Sequence, residues 1–159
     1  MRNILIGIAA LLVSCTGPDS GVDPQAGIAA ALEVLRAGIE SEDAVVASQP
    51  IGENFFLAHN VSSRYSTLEW DATESTPAVG RFRLFFDDAF DFLANPQQQF
   101  TIVDIDSNGG IATVEVESRF DAVLTDVTPA ENVTYTTTDY MLFEFQSGGW
   151  RLVRWDELP

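Results

Sequence analysis

The stretch FTIVDIDSNGGIATVEVESRFDAVLTDVTPAENVTYTTTDYMLFEFQSGGWRLVRW, residues 100–155, determines the fold. Apolar and polar residues alternate along it, most regularly over Ile111–Leu124, and a period of two is typical of strands with one buried face. The alternation breaks at residues 106–110, 126–131 and 147–149. The Gly-Gly pairs in the first and third breaks suit tight hairpin turns, because glycine accepts positive φ. We therefore predict four long antiparallel strands.

Helices are predicted upstream of these strands. Asp23 and Pro24 are typical of a helix start, and apolar residues then recur at helical spacing over residues 25–40. Ser41 would cap a second short helix that ends near Ala47. The apolar residues 55–57 should dock on the core.

A third helix is predicted over residues 79–94. Its apolar stripe contains four phenylalanines and Leu93, and Asn95-Pro96 would end it. A phenylalanine stripe of this kind is more often part of a core than a platform for a ligand. The predicted fold class is α+β, with about four long strands and one short strand packed on two to three helices.

Charge excludes several classes of partner. The 159 residues include eight Arg, no Lys and 24 acidic residues, giving a formal charge of −16. Phosphate backbones repel such a chain, so nucleic-acid binding is disfavoured. Its length allows one domain.

The first fifteen residues resemble the leader of bacterial lipoproteins. A basic start precedes ten apolar residues, too few to span a bilayer, and Leu12-Val13-Ser14-Cys15 matches the lipobox. The resemblance implies a signal peptide at 1–14, an acylated Cys15, and a location in the bacterial cell envelope, with the outer membrane favoured. Residues 15–25, rich in Gly, Pro, Asp and Ser, would form a flexible tether, and residues 26–159 the domain.

The helices followed by a meander that ends in Gly148-Gly149-Trp150 resemble the nuclear transport factor 2-like superfamily, and its SnoaL-like members in particular. Ala44 and Gly80 also support the likeness. The resemblance implies a cone-shaped curved sheet that wraps a helix and leaves a pocket. Members include isomerases, dehydratases and cyclases, besides non-catalytic binding modules and dimers formed through the open sheet face.

One segment matches the spacing of a calcium-binding loop. Asp104, Asp106, Asn108 and Glu115 provide oxygen ligands at loop positions 1, 3, 5 and 12, with Gly109 at the tight turn. Calcium loops of this type need a helix on each side, whereas a strand pattern surrounds this one. We therefore favour a plain hairpin over a non-helical calcium site.

Two residues are candidate general bases. His59 is the single histidine and titrates near neutral pH, although its context suggests a surface loop. Asp139 shares its register with Tyr135 and Met141, and a carboxylate on an apolar face could act as a base in a pocket. The alternative for Asp139, which we favour, is a bulge that turns it to solvent or an ion pair with Arg119.

Three hypotheses of function follow. The favoured one is an envelope lipoprotein whose cone-fold module binds a small apolar ligand or a protein partner without catalysis, with Tyr65, Trp70 and Tyr135 as candidate pocket residues. The second is a SnoaL-like pocket enzyme that transfers protons through Asp139 or His59. The third is an envelope protein stabilised by calcium.

Overall fold

A computed structural model describes residues 23–59, 70–71, 77–89 and 91–158 of the chain. Three helices pack against one curved sheet of six strands. The predicted leader, Cys15 and Tyr65 lie outside the described residues. None of the described helices is long and apolar enough to cross a membrane. The elements are α1 (Pro24–Glu40), α2 (Ala44–Ser48), β1 (Ile51–His59), β2 (Trp70–Asp71), α3 (Ala78–Ala89), β3 (Leu93–Asn108), β4 (Ile111–Leu124), β5 (Glu131–Gln146) and β6 (Gly149–Leu158).

The first helix begins as its sequence predicts. Asp23 caps α1 by accepting a hydrogen bond from the backbone N–H of Gln25 at 3.1 Å, and Pro24 takes the first helical position. The start lies inside the segment 15–25 that we expected to be a tether. We expected Ser41 to cap α2, and this prediction is wrong. Ser41 instead lies at the end of α1, where its hydroxyl donates to the carbonyl of Ala37 at 2.7 Å. Asp43 caps α2 instead, because its carboxylate accepts from two backbone N–H groups there.

The last four strands, β3 to β6, form the predicted meander. β4 has the predicted bounds, and β3, β4, β5 and β6 pair antiparallel in sequence order. Gly109 and Gly110 both have positive φ at the first turn, as do Ser147 and Gly148 at the last. Two consecutive residues of this conformation match the right-handed twist of the flanking strands, which explains the tight turns.

The structure adds one element to the prediction and corrects another. Residues 55–57 dock on the core as predicted, through Phe55 and Leu57, but they do so as part of β1, a strand that we did not predict. β1 pairs parallel with β6, so the described sheet is mixed and has five long strands. Leu93 does not belong to the third helix. It begins β3 and pairs with Leu124, because α3 ends at Ala89 and the sheet continues through these residues.

The core lies between the helices and one face of the sheet, which we call the inner face. This face carries the even-numbered residues of β4 and the odd-numbered residues of β5, while the opposite, outer face is mostly polar. α1 and α2 approach very closely, since a Cβ on Gly38 would lie 2.2 Å from the backbone nitrogen of Ala47. The largest fully buried apolar side chains are Phe55, Phe143, Ile28, Leu35, Met141, Leu152, Val114 and Val116.

Candidate functional site

Among the polar side chains that the structure describes, Asp139 is the most deeply buried, and it lies on the inner face. Its side chain has no exposed surface. The hydroxyl of Thr137 donates to its Oδ1 at 2.7 Å, and the indole Nε1 of Trp155 donates to its Oδ2 at 2.9 Å. The hydroxyl of Ser118 also donates to Oδ2. The described side chains thus provide at least three donors to its two oxygens, and such hydrogen bonds replace the water that the carboxyl group loses on burial.

The register of three strands builds this group, which we call the Asp139 cluster (Asp139, Ser118, Thr137 and Trp155). Ser118 on β4 lies directly opposite Thr137 on β5, and Asp139 follows Thr137 by two residues on the same face. Trp155 on β6 pairs with Met141, the next inner-face residue of β5. Ser118, Thr137 and Asp139 come from regularly paired inner-face positions, whereas Trp155 reaches the same face as Leu152 because the register of β5 and β6 shifts between them.

The Asp139 cluster separates two zones of the inner face. On one side the pairs Val114–Met141 and Ala112–Phe143 are fully buried. On the other side Phe120 pairs with Tyr135, and both are only half-buried. Phe100 on β3 is also half-buried and contacts Trp155 edge to face, with ring centroids 5.8 Å apart. We call Phe100, Phe120 and Tyr135 the aromatic rim.

Asp139 therefore corrects our favoured expectation. It neither turns to solvent nor pairs with Arg119, whose guanidinium lies on the outer face and binds the carboxylate of Asp121 at 2.8 Å. Our alternative expectation, a carboxylate held on the apolar face, describes its position.

His59 lies at the end of β1, not in the loop that its context suggested. The parallel register places His59 beside Glu157 of β6, and Glu157 is in turn paired with Asp139. Three titratable residues thus occupy consecutive positions across β1, β6 and β5. For His59, as for Trp70 on β2, the structure describes the backbone only.

The segment with calcium-loop spacing forms a hairpin between two strands. Asp104 on β3 pairs with Glu115 on β4, and Asp106 pairs with Thr113. Asn108 lies next to the turn at Gly109. Within the described ranges, no three His, Cys, Asp or Glu side chains come together in a way that could hold a metal ion.

A separate cleft opens where α1, α2 and α3 meet. Its volume is about 460 Å³, and it is lined by Ser41, Glu42, Asp43, Ala44, Val45, Arg83, Phe86 and Asp87. None of the residues that the sequence indicated as functional lies in it. The lining is strongly acidic and open to solvent, so it lacks the apolar walls that small-molecule sites usually have.

Sequence reasoning identified Asp139 and Tyr135 but not their partners. Ser118, Thr137 and Trp155 carry no motif, and Phe100 and Phe120 are ordinary members of alternating strands. The register of β4 against β5 could have indicated Ser118, Thr137 and Phe120, whereas Phe100 and Trp155 also require the registers of β3 and β6.

Comparisons with known proteins identify the fold. No protein-family model and no curated protein sequence matches this chain. Among solved structures, a candidate scytalone dehydratase from Novosphingobium aromaticivorans matches with a TM-score of 0.67 at 11% identity, over 87% of this chain and 85% of that one. A nuclear transport factor 2-like superfamily protein from Salmonella enterica matches with a TM-score of 0.64 at 14% identity, over 82% and 87%.

This chain has the nuclear transport factor 2-like fold. Hexachlorocyclohexane dehydrochlorinase LinA-type3 from Novosphingobium barchaimii shares the same fold, with a TM-score of 0.66 at 8% identity, over 84% of each chain. Structures with this fold therefore include enzymes and other proteins, and at such identities the likeness establishes the architecture alone. Function must be argued from the Asp139 cluster and the aromatic rim.

Proposed function

We propose that this chain is a cell-envelope lipoprotein whose nuclear transport factor 2-like domain binds a small, largely apolar ligand without changing it chemically. The observation that supports this best is the change of burial along the inner face. Fully buried side chains give way, at the Asp139 cluster, to the half-buried aromatic rim. A partly exposed apolar surface beside a few fixed polar groups is the usual composition of a ligand site.

The aromatic rim would provide most of the affinity. Aromatic side chains carry large apolar areas, and burying such area contributes about 25 cal/mol per Å². The Asp139 cluster would fix the orientation of the ligand, because its hydroxyl groups are held by the carboxylate and cannot rotate freely.

The state of Asp139 supports binding over catalysis. A general base must come within hydrogen-bond distance of the proton it removes. Asp139 has no exposed surface, and three side chains of the same sheet already donate to its two oxygens. These contacts support a role in fixing the shape of the site.

A fluorescent probe tests the ligand site. N-phenyl-1-naphthylamine is neutral and becomes fluorescent in apolar surroundings, so we expect saturable binding to the soluble domain. Tyr135→Ala should weaken binding at least tenfold. Tyr140→Ala is the matched control, since Tyr140 lies on the same strand but faces outward and is 40% exposed. Equal loss in both variants, or no saturable binding, would refute the proposal.

A pocket enzyme is the second candidate, and one observation favours it. The backbone register puts His59, Glu157 and Asp139 at consecutive positions across β1, β6 and β5, and acid–base catalysis uses residues of these types. The test is elimination of 5-nitrobenzisoxazole, a probe for a base in an apolar site. A rate above background that Asp139→Asn or His59→Ala abolishes would favour the enzyme, while a background rate favours the binding module.

The lipid anchor is tested separately. The full chain, expressed in a Gram-negative host fed an alkynyl palmitate, should become labelled, and Cys15→Ser should not. The matched control is Ser14→Ala, which keeps a small residue before the cysteine and should preserve labelling. Labelling that survives Cys15→Ser would exclude this anchor without affecting the ligand proposal.

A further inference from the structure

We propose that the edge of β3 binds an extended peptide in which apolar and basic residues alternate, and that this peptide adds a strand to the six of the described sheet. The surface is distinct from the proposed ligand site, and the inference does not depend on that site. It comes from the position of β3 in the sheet, from the direction of its main-chain groups and from the charges beside them.

The described sheet ends at β3. The strand order is β2-β1-β6-β5-β4-β3, so β3 pairs with β4 and with no other described strand. β3 has 16 residues, whereas β2 at the opposite edge has two. A long edge strand presents a row of unpaired main-chain N–H and C=O groups, and such a row is a template for another extended chain.

α1 meets this edge near its beginning. The carboxylate of Glu40, the last residue of α1, accepts a hydrogen bond from the backbone N–H of Gln98 at 2.9 Å. The other end of α1 lies at β6, where a Cβ on Gly27 would be 2.5 Å from Cδ1 of Trp150. The helix therefore crosses the sheet from β3 to β6 and does not follow β3 to its end.

The last part of β3 is exposed. We call residues 103–108 the open edge. All of them are exposed except Ile105, which is half-buried and packs against the core, and Val103 is 52% exposed. In an extended conformation the open edge spans about 20 Å, which matches a partner strand of common length.

The main-chain groups of Ile105 and Ser107 point away from β4. The turn at 109–110 has two residues with positive φ, so the residues that flank it, Asn108 and Ile111, form a hydrogen-bonded pair. Hydrogen-bonded and non-hydrogen-bonded pairs alternate along an antiparallel ladder. The N–H and C=O groups of residues 105 and 107 are therefore directed toward the open edge, where a new strand would bind them.

Carboxylates flank the open edge on the outer face. Asp104 and Asp106 are exposed, and Asp104 lies directly opposite Glu115 of β4. Like charges at directly opposite positions destabilise a sheet. The structure describes no ion pair for these three carboxylates, and Arg119, on the same face, binds Asp121 instead. Basic side chains on an added strand would compensate this charge.

The alternation of β3 defines the partner. Side chains of the new strand opposite Asp104 and Asp106 would lie on the outer face, where basic residues form pairs of opposite charge. The side chain opposite Ile105 would lie on the inner face, where an apolar residue fits. A second copy of β3 suits this edge poorly, because antiparallel pairing about Ile105 would set Asp104 of one copy opposite Asp106 of the other.

A synthetic peptide, acetyl-TRVRVRT-amide, tests the proposal by calorimetric titration into the soluble domain. We expect saturable binding in about 0.15 M salt that weakens as salt is added. N-methylation of both valines removes N–H groups that face β3 and should weaken binding about tenfold or more. The matched control carries two N-methyl groups on arginines, whose N–H groups face away, and should bind within about twofold of the parent peptide. The acidic peptide acetyl-TEVEVET-amide should not bind.

Variants and hydrogen exchange locate the surface. Asp106→Asn should weaken binding about threefold, as expected for the loss of an exposed ion pair. Glu53→Gln is the matched control, because Glu53 is also an exposed carboxylate on a strand but lies on β1, away from β3. The peptide should slow amide exchange at Ile105 and Ser107.

Several results would overturn this inference. They are the absence of saturable binding, equal weakening by the two methylated peptides, and equal weakening by Asp106→Asn and Glu53→Gln. Self-association of the domain that protects Ile105 and Ser107 without peptide would assign the edge to a second copy instead. Displacement of N-phenyl-1-naphthylamine by the peptide would place it at the ligand site, whereas peptide binding without displacement supports a separate surface.

Discussion

Replacement of Asp139 by asparagine tests the arrangement at the centre of the site. The amide oxygen can take the place of Oδ2 and accept from Ser118 and Trp155, but the amide nitrogen then faces the hydroxyl of Thr137, which donates to Oδ1 at 2.7 Å in the native chain. Thr137 must reverse its hydroxyl, and the remaining bonds lose their charge.

The magnitude follows from the number of bonds. Hydrogen bonds to charged groups contribute about 1.5–3 kcal/mol each and neutral ones about 0.5–1.5 kcal/mol, a difference of about 1–1.5 kcal/mol per bond, so three converted bonds should lower the free energy of unfolding by about 3–4.5 kcal/mol. For a chain of this size, each kcal/mol corresponds to about 2–4 °C of Tm, which gives a decrease of roughly 6–18 °C.

Urea and thermal unfolding of the soluble domain measure this change. Asp106→Asn is the control, since Asp106 is an exposed residue at an outer-face position of β3 and its replacement should change stability by no more than about 0.5 kcal/mol. Trp155→Phe removes one donor, and combining it with Asp139→Asn should reveal a coupling energy of about 0.5–3 kcal/mol. If Asp139→Asn is as stable as Asp106→Asn, or if the two changes at the cluster are additive, the three-donor description is wrong.

Three further predictions concern other parts of the chain. Gly38→Ala should lower the free energy of unfolding by about 1–2 kcal/mol, because the new Cβ would lie 2.2 Å from the nitrogen and 2.5 Å from the Cα of Ala47. The cost of overpacking, about 1–3 kcal/mol, exceeds the gain in helix propensity, about 0.5–1 kcal/mol. In Gly80→Ala the new Cβ has no atom within 4 Å, so this variant should instead raise Tm. An equal change of Tm in the two variants would contradict the close packing of Gly38 against Ala47. The hydrogen bond from Arg119, and next that from Thr134, lower the pKa of Asp121 below its ordinary value of 3.8. The Arg119–Asp121 pair therefore contributes stability above about pH 4, and this stability is lost as pH falls through the lower native pKa. Carboxyl chemical shifts of Asp121 should show the lowered pKa, and an unchanged titration midpoint in Arg119→Ala would refute this prediction. Millimolar Ca²⁺ should leave Tm unchanged relative to EDTA, because Asp104 and Glu115 lie on paired strands of a hairpin, and a clear upward shift would revive the calcium hypothesis.

The meander could be predicted because one physical constraint governs it. β4 and β5 each have one buried face, and burial of about every second residue gives the sequence its period of two. Gly109, Gly110 and Gly148 add the second constraint, since few other residues readily accept the positive φ that these turns require.

β1 escaped prediction because neither constraint acts on it. Phe55, Phe56 and Leu57 are consecutive apolar residues, although Phe56 lies 37% exposed on the outer face with the guanidinium of Arg154 at 5.4 Å from its ring. The cation–π contact with Arg154 thus stabilises Phe56 at an outer-face position, where polar residues are usual. Its parallel partner, β6, lies about a hundred residues further along the chain, and the local sequence of β1 does not indicate a pairing over that distance.

The end of α3 illustrates a different failure. Leu93 continues the apolar spacing of the helix, yet it also occupies a strand position opposite Leu124. A single apolar residue satisfies both periods, so the sequence could not decide between them. The structure resolves the choice because the backbone of Thr125 donates to the carbonyl of Phe92 at 2.8 Å and fixes the start of β3.

The binding and catalytic hypotheses make opposite demands on Asp139, and this makes the residue decisive. A base needs an oxygen that a substrate proton can approach, and it must exist in two protonation states during turnover. A structural carboxylate needs saturation by donors and exclusion of water. Zero exposure, together with donors from β4, β5 and β6, meets the second set of demands. A catalytic role would require the sheet itself to release one of these donors, and the twisted ladder of paired strands that holds Ser118 opposite Thr137 opposes such a movement.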